Sequence, residues 1–356
     1  LFLERWLSVL RKSKVPMNTL KLRLLSATIA SLLLTVSSSL TARASLVRTQ
    51  TIALHKGWNA VYLAVTPSPA DPSTVFANTP VSIAAIFLPR DTPVEYIQNP
   101  GTISWKKDGW SVWYAPNRPD TFLSNLHSLA GNQAYLLFAQ TACTLQVIGT
   151  VSLQSVQWRA NSFNFVGFPL DDQSPPTFDQ FFNGSTAHQP YRIYHLVNDQ
   201  WMQISGATLT TMQPGEAFWI YCNGSSSYQG PLSAQVPSSQ AITFANNADS
   251  YITLANQSPN PMTVRLDTVA TDAGLPLTIM LRGVTPTNMT EMVFDLPSSI
   301  PIASLEPGAA TTVRFGLHRA NMTSPTQTTL LKLTTDTGAQ VWIPVTGTRG
   351  DLSASP

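Results

Sequence analysis

From residue 51 onward the apolar positions fall into short runs, each stopped by proline, glycine or an Asx residue, and this texture predicts strands. In 57–65 one parity carries Trp58, Ala60, Tyr62 and Ala64, while the other carries Val61, Leu63 and Val65. A strand apolar on both parities is covered on both faces. Pro67, Pro69 and Pro72 then end it. A second strand over 82–88 stops at Pro89. Short aromatic strands follow at 103–105 and 110–114, separated by Lys106-Lys107-Asp108-Gly109, whose Asp-Gly is a strong hairpin signal. Residues 121–129 are the one helix-like interval of this region, with Phe122, Leu126 and Leu129 at helical spacing. Strands over 135–138 and 144–151 close the unit.

The same landmarks then return in the same order. Gly57-Trp58-Asn59-Ala60-Val61 is echoed by Ser162-Phe163-Asn164-Phe165-Val166, and Asp108-Gly109-Trp110 by Asp199-Gln200-Trp201. Gly131-Asn132-Gln133-Ala134-Tyr135 is echoed by Pro214-Gly215-Glu216-Ala217-Phe218. In the second unit 178–182 is the helical candidate and 191–197 the middle strand. Residues 236–240 form a short polar linker. Beyond it tryptophan becomes rare and β-branched residues dominate, in strands expected at 241–246, 251–256, 262–269, 277–281, 291–296, 311–317, 328–334 and 340–347. Many short strands at such intervals argue for an immunoglobulin-type β-sandwich. The expected fold is all-β: two related small β-rich units (45–155 and 156–236), then an Ig-like sandwich over 241–350.

The N-terminal segment stands apart from this pattern. Lys21 and Arg23 precede the apolar run 24–36, and Ala42-Arg43-Ala44 supplies an A-x-A cleavage pattern, so 17–44 reads as a secretory signal peptide. The run is shorter than the roughly 20 residues of a membrane span, so no transmembrane segment is expected in the mature chain. Residues 1–16, ahead of Met17, read as upstream sequence translated in frame. The charge changes accordingly. Of 21 Lys/Arg and 19 Asp/Glu in the 356 residues, seven and one lie in 1–44, leaving 14 basic and 18 acidic residues and a net charge of −4. No basic run remains, which argues against nucleic acid as a partner. Export places Cys143 and Cys222 in oxidising surroundings. Two readings stay open: a bridge between the units, stabilising by roughly 4 kcal/mol in the chain-entropy model, or two separate buried thiols.

Candidate chemistry is sparse. The five histidines share no metal-ligand spacing, no glycine-rich phosphate loop follows a strand, and no strained serine elbow is present. No catalytic residue, metal or cofactor is therefore expected. Asp171-Asp172 reads as a solvated turn capping the following helical segment; a hydrolase would need one of them to face a second acid. Five Asn-x-Ser/Thr sequons arise in a chain rich in these residues and are taken as unused. The constellation that remains is aromatic: Trp105, Trp110, Trp113, Tyr114 and Trp201, with Tyr191 and Tyr194. Exposed, such rings form platforms for sugar faces or a partner protein. Buried, they fill cores poor in aliphatics.

The run from Gly57-Trp58-Asn59 through a Trp-centred hairpin to Pro214-Gly215-Glu216-Ala217-Phe218-Trp219-Ile220 resembles modules of secreted and cell-surface proteins of bacteria and archaea, whose units run from a "GWN" to a "GYW" strand. Neither unit carries both ends in full. The C-terminal part resembles bacterial immunoglobulin-like surface domains. These resemblances imply an extracytoplasmic β-rich module with no established catalysis. The expected function is a non-catalytic secreted or cell-surface scaffold, in the periplasm, on the surface or outside the cell. A carbohydrate-binding protein is the alternative. The partner expected is a cell-surface protein or polysaccharide.

Overall fold

The computed structural model describes residues 46–88, 99–102, 109–238, 240–269, 274–284 and 289–350. The expected signal segment with its Ala42-Arg43-Ala44 site, the strand at 103–105 with Trp105, and most of the Lys106–Gly109 turn lie outside these residues. Within them the chain is all-β and forms five sheets.

The first stretch contains β1 (Val47–Leu54), β2 (Gly57–Leu63), β3 (Val65–Pro67), the helical turn α1 (Pro72–Val75), β4 (Val81–Phe87), β5 (Trp110–Tyr114), β6 (Gln133–Ala139) and β7 (Cys143–Val151). β2, β6, β4 and β5 make one antiparallel sheet in that order, and β1, β7 and β3 make a second. The second stretch contains β8 (Ser162–Gly167), helix α2 (Phe178–Phe182), β9 (Ile193–Val197), β10 (Gln200–Gln203) and β11 (Ala217–Cys222). Its sheet runs β8, β11, β9, β10. Both four-stranded sheets thus have their first strand at one edge, their last strand beside it, then the second and third.

The double-sided apolar pattern explains how these sheets stack. Every residue of β2 is buried. Its Trp58, Ala60 and Tyr62 join Trp110, Leu136, Phe163, Trp201 and Trp219 in a cluster between the two four-stranded sheets. Its Val61 and Leu63 face the other way, joining Ile52, Leu145 and Val147 beneath the three-stranded sheet. On the far side of the second sheet, α2 buries Phe178, Phe181 and Phe182 against Phe218 and Ile220. α2 starts where the sequence places it because Thr177 and Gln180 form a reciprocal capping box.

The helix expected over 121–129 is not formed. Only Thr121–Leu123 makes a 3-10 turn, and Phe122 is 79% exposed. The following residues lie along β5: Asn125 and Leu126 donate their amides to the Val112 carbonyl at 2.8 and 3.0 Å. The Val112 and Tyr114 amides in turn donate to Asn125 Oδ1 and Ser124 Oγ at 2.6 and 3.0 Å. The unpaired edge of β5 outbids the helix for these polar groups.

The C-terminal part is a sandwich of two five-stranded sheets around one core. Its strands are β12 (Leu232–Gln235), β13 (Ile242–Phe244), β14 (Asp249–Asn256), β15 (Met262–Val269), β16 (Leu277–Val284), β17 (Met289–Asp295), β18 (Ser299–Leu305), β19 (Ala310–Leu317), β20 (Thr326–Thr335) and β21 (Gln340–Thr348). One sheet runs β12, β14, β19, β16, β17 and the other β13, β21, β20, β15, β18, with β13 parallel to β21. β12 precedes the expected linker yet pairs with β14, so the sandwich begins at Leu232. It docks on the second unit through Leu170, which bridges Ala339, and through Asp171 N, which donates to Gly338 O at 2.9 Å.

Candidate functional site

The landmark motifs act first on the backbone. In each four-stranded sheet an asparagine two residues into the first strand pins the turn before it. Asn59 Oδ1 accepts from His55 N at 2.9 Å, and its Nδ2 donates to His55 O and Gly57 O at 2.9 and 3.0 Å. Asn164 Oδ1 accepts from Arg159 N at 2.8 Å, and its Nδ2 donates to Arg159 O and Ser162 O at 3.2 and 3.1 Å. Gly57 is required beside it. Its φ is +101°, and a Cβ there would lie 2.5 Å from Asp199 Oδ1. That carboxylate accepts from Trp58 N at 2.6 Å, so the β9–β10 turn clasps the head of β2.

The aromatic candidates are interior. Trp110, Tyr114 and Trp201 are 6%, 4% and 7% exposed and lie in the cluster between the sheets. Trp113, on the other parity of β5, is buried under the three-stranded sheet and donates Nε1 to Ser73 Oγ at 3.0 Å. Tyr191 and Tyr194 pack at cluster margins. The platform expected from Trp110, Trp113, Tyr114 and Trp201 is therefore not presented to solvent. Alternating parity on a strand covered on both faces sends each ring into a core. Trp105 is outside the described residues.

Cys143 and Cys222 are free thiols, which sets aside the bridge between the units. Cys143 belongs to the three-stranded sheet and packs at the rim of the cluster beneath it. Cys222 ends β11, on the parity of Phe218 and Ile220 that faces α2. Two sheet layers about 10 Å apart intervene, whereas a bridge needs Cα atoms within about 7 Å. Burial raises both thiols above their usual range. A thiol reagent should therefore modify Cys143 slowly and Cys222 only after unfolding, with two thiols titrated in denaturant by mass spectrometry.

Asp171 and His188 are held by contacts within the fold. Asp171 does not cap α2, as its position in the sequence suggests. Its Oδ1 accepts from Gln173 N and Ser174 N at 2.8 and 3.1 Å, and its Oδ2 from Gln340 Nε2 at 3.2 Å. Burial works to raise its pKa, but these hydrogen bonds with the charge of Lys332 outweigh it and hold the carboxyl below its ordinary value. His188 is buried against Trp158, with Nδ1 2.6 Å from Ser185 Oγ, and burial lowers it to about 4.

Glu216, in the turn leading to β11, lies 3.9 Å from His195 Nδ1. Burial pushes the carboxyl up to about 7 and lowers the imidazole. Desolvation is what shifts both groups, and burial favours the uncharged form of each. The unfolded carboxyl ionises near 4.5, before the folded one. The stability that neutral Glu216 contributes is thus complete below that pH and is lost as pH rises to about 7. The stability difference between wild type and Glu216→Gln, followed by urea midpoint against pH, should change by up to about 3 kcal/mol across this window.

Among the described residues no three His, Cys, Asp or Glu side chains gather to hold a metal, and no helix is long and apolar enough to cross a membrane. No family model matches the chain, and no curated protein matches it. Among solved structures it is similar to the ASH/PapD-like domain of human CEP192, at 11% identity and a TM-score of 0.21, over 33% of this chain and 84% of that one. The class 5 fimbriae chaperone CfaA matches at 7% identity and a TM-score of 0.20, over 32% and 55%. Escherichia coli alpha-2-macroglobulin activated by porcine elastase matches at 12% identity and a TM-score of 0.20, over 85% and 33%.

Proposed function

We propose that this chain is an exported, non-catalytic scaffold, built from a duplicated β unit followed by an Ig-like sandwich. The observation that carries the reading is the burial of the candidate rings Trp110, Trp113, Tyr114 and Trp201: aromatic side chains that could bind a ligand are spent on cohesion. The shared strand order of the two four-stranded sheets supports the duplication, as do the matching bonds of Asn59 and Asn164. The crossing of the chain from β12 in one sheet to β13, parallel to β21, in the other supports the Ig-like reading. Export rests on the signal pattern ahead of Ser45, and a cell-surface protein or polysaccharide is the partner it implies.

The experiment compares wild type with Trp110→Ala and Trp201→Ala by thermal melting and on a glycan array. The scaffold reading expects both changes to lower Tm and no glycan to be retained by the wild type. Retention of a glycan that is lost in either variant at unchanged Tm would replace it with sugar recognition through these rings. N-terminal sequencing of secreted protein checks the export half, with Ser45 as the expected first residue.

A further inference from the structure

Where the three-stranded sheet meets the loop after β8 and the sandwich strand β21 there is a cavity of about 240 Å³. Two of its lining residues carry opposite charges that do not pair. Arg48, on edge strand β1, lays its guanidinium 3.7 Å from the centre of the Trp342 ring. Among the described residues its side chain makes no hydrogen bond and no ion pair. Asp172 lines the same space, near enough to act on Arg48 electrostatically without forming an ion pair. Its neighbour Asp171 is consumed by the turn and by Gln340, so the two adjacent carboxylates have different tasks.

The neutral lining is also incompletely used. Gln340 spends one N–H of Nε2 on Asp171, and Gln154 spends one on Gly167 O at 2.7 Å, so each keeps its carbonyl oxygen as an acceptor and a second N–H as a donor. Val151 and Phe168 supply apolar wall. A planar guanidinium fork held in place by a ring suits a carboxylate bidentately. A carboxylate and amide oxygens suit an ammonium. A simple anion would be repelled by Asp172 and a simple cation by Arg48. The arrangement is complementary to a small molecule carrying both charges with a short apolar body.

We propose that this cavity binds a free α-amino acid, with its carboxylate on Arg48, its ammonium on Asp172 and a short side chain against Val151 and Phe168. Of the inter-sheet rings only Tyr62 lines the cavity, and none of Trp110, Trp113, Tyr114 and Trp201 does, so the site stands whether or not the scaffold reading does.

The test is calorimetric titration and thermal melting of the full chain with alanine, serine and valine at millimolar concentration. Each is matched by its amide, which lacks the carboxylate, and its N-acetyl form, which lacks the ammonium. The expected result is saturable binding and a raised Tm for at least one free amino acid. Its two blocked forms should bind about ten- to a hundredfold more weakly, as expected for loss of a charged hydrogen bond. Arg48→Gln and Asp172→Asn should weaken the free amino acid by a similar factor. Asp172 is exposed and makes no side-chain hydrogen bond among the described residues, so Asp172→Asn decides the matter if the Arg48 variant does not fold. Absence of binding by all three amino acids, equal binding of the blocked forms, or unchanged affinity in Asp172→Asn would overturn the proposal.

Discussion

Replacing Trp219 by alanine should destabilise the protein by about 3–5 kcal/mol, the range for removing a large aromatic from a packed core. Trp219 is fully buried at the centre of the layer between the four-stranded sheets. It stacks on Phe165 at 4.9 Å and 27°, and it meets Phe87 and Trp201 at 5.5 and 6.3 Å. The cavity left behind would be lined from both sheets, so neither could close it by moving alone. Trp219→Phe should cost much less, because the indole Nε1 it removes is buried without a partner. Urea unfolding midpoints of the two variants measure the difference. Equal losses would mean that the ring is not held as described.

Asn59→Ala and Asn164→Ala should each cost about 1–3 kcal/mol, since each leaves backbone groups of its turn without their partner. Asn→Asp at either site is a graded control, keeping the acceptor for His55 N or Arg159 N and losing the two bonds made by Nδ2. The two sites share no hydrogen-bond partner, so the double variant should lose close to the sum of the single losses. Comparable losses at the two sites are expected if the motifs do the same work in both sheets. A large loss at one and none at the other would show that one asparagine only decorates its turn.

Much of the strand pattern was legible because burial follows residue parity closely in a layered β protein. β2 read as apolar on both parities and is buried on both, and 178–182 read as helical and forms α2, although its cap is Thr177 and not the Asp171-Asp172 turn. What the sequence hid were choices made by distant edges. Phe122, Leu126 and Leu129 have helical spacing, but residues 124–126 bond to β5, whose open edge no local pattern announces. β18 escaped notice because it carries Pro301; as an edge strand it tolerates the missing donor, and a register shift at Val264/Arg265 accommodates it. The rings of Trp110 and Trp201 could have been platform or core, and only the stacking of one sheet on the other decides that. Arg48, Asp172 and Trp342 meet from three widely separated stretches, and no spacing rule connects them.

The layer between the four-stranded sheets also bears on how the chain would survive being cut. The connection from β7 to β8 runs past the exposed Gln157, where a single nick would end covalent continuity between the sheets. The shared aromatic layer would remain, together with the clasp of Asp199 on Trp58 N and the bond from Tyr62 N to Gly215 O. The cleaved halves would then behave as complementary fragments. Each alone would present one wall of tryptophan and phenylalanine to water, and each would find in the other the surface that hides it.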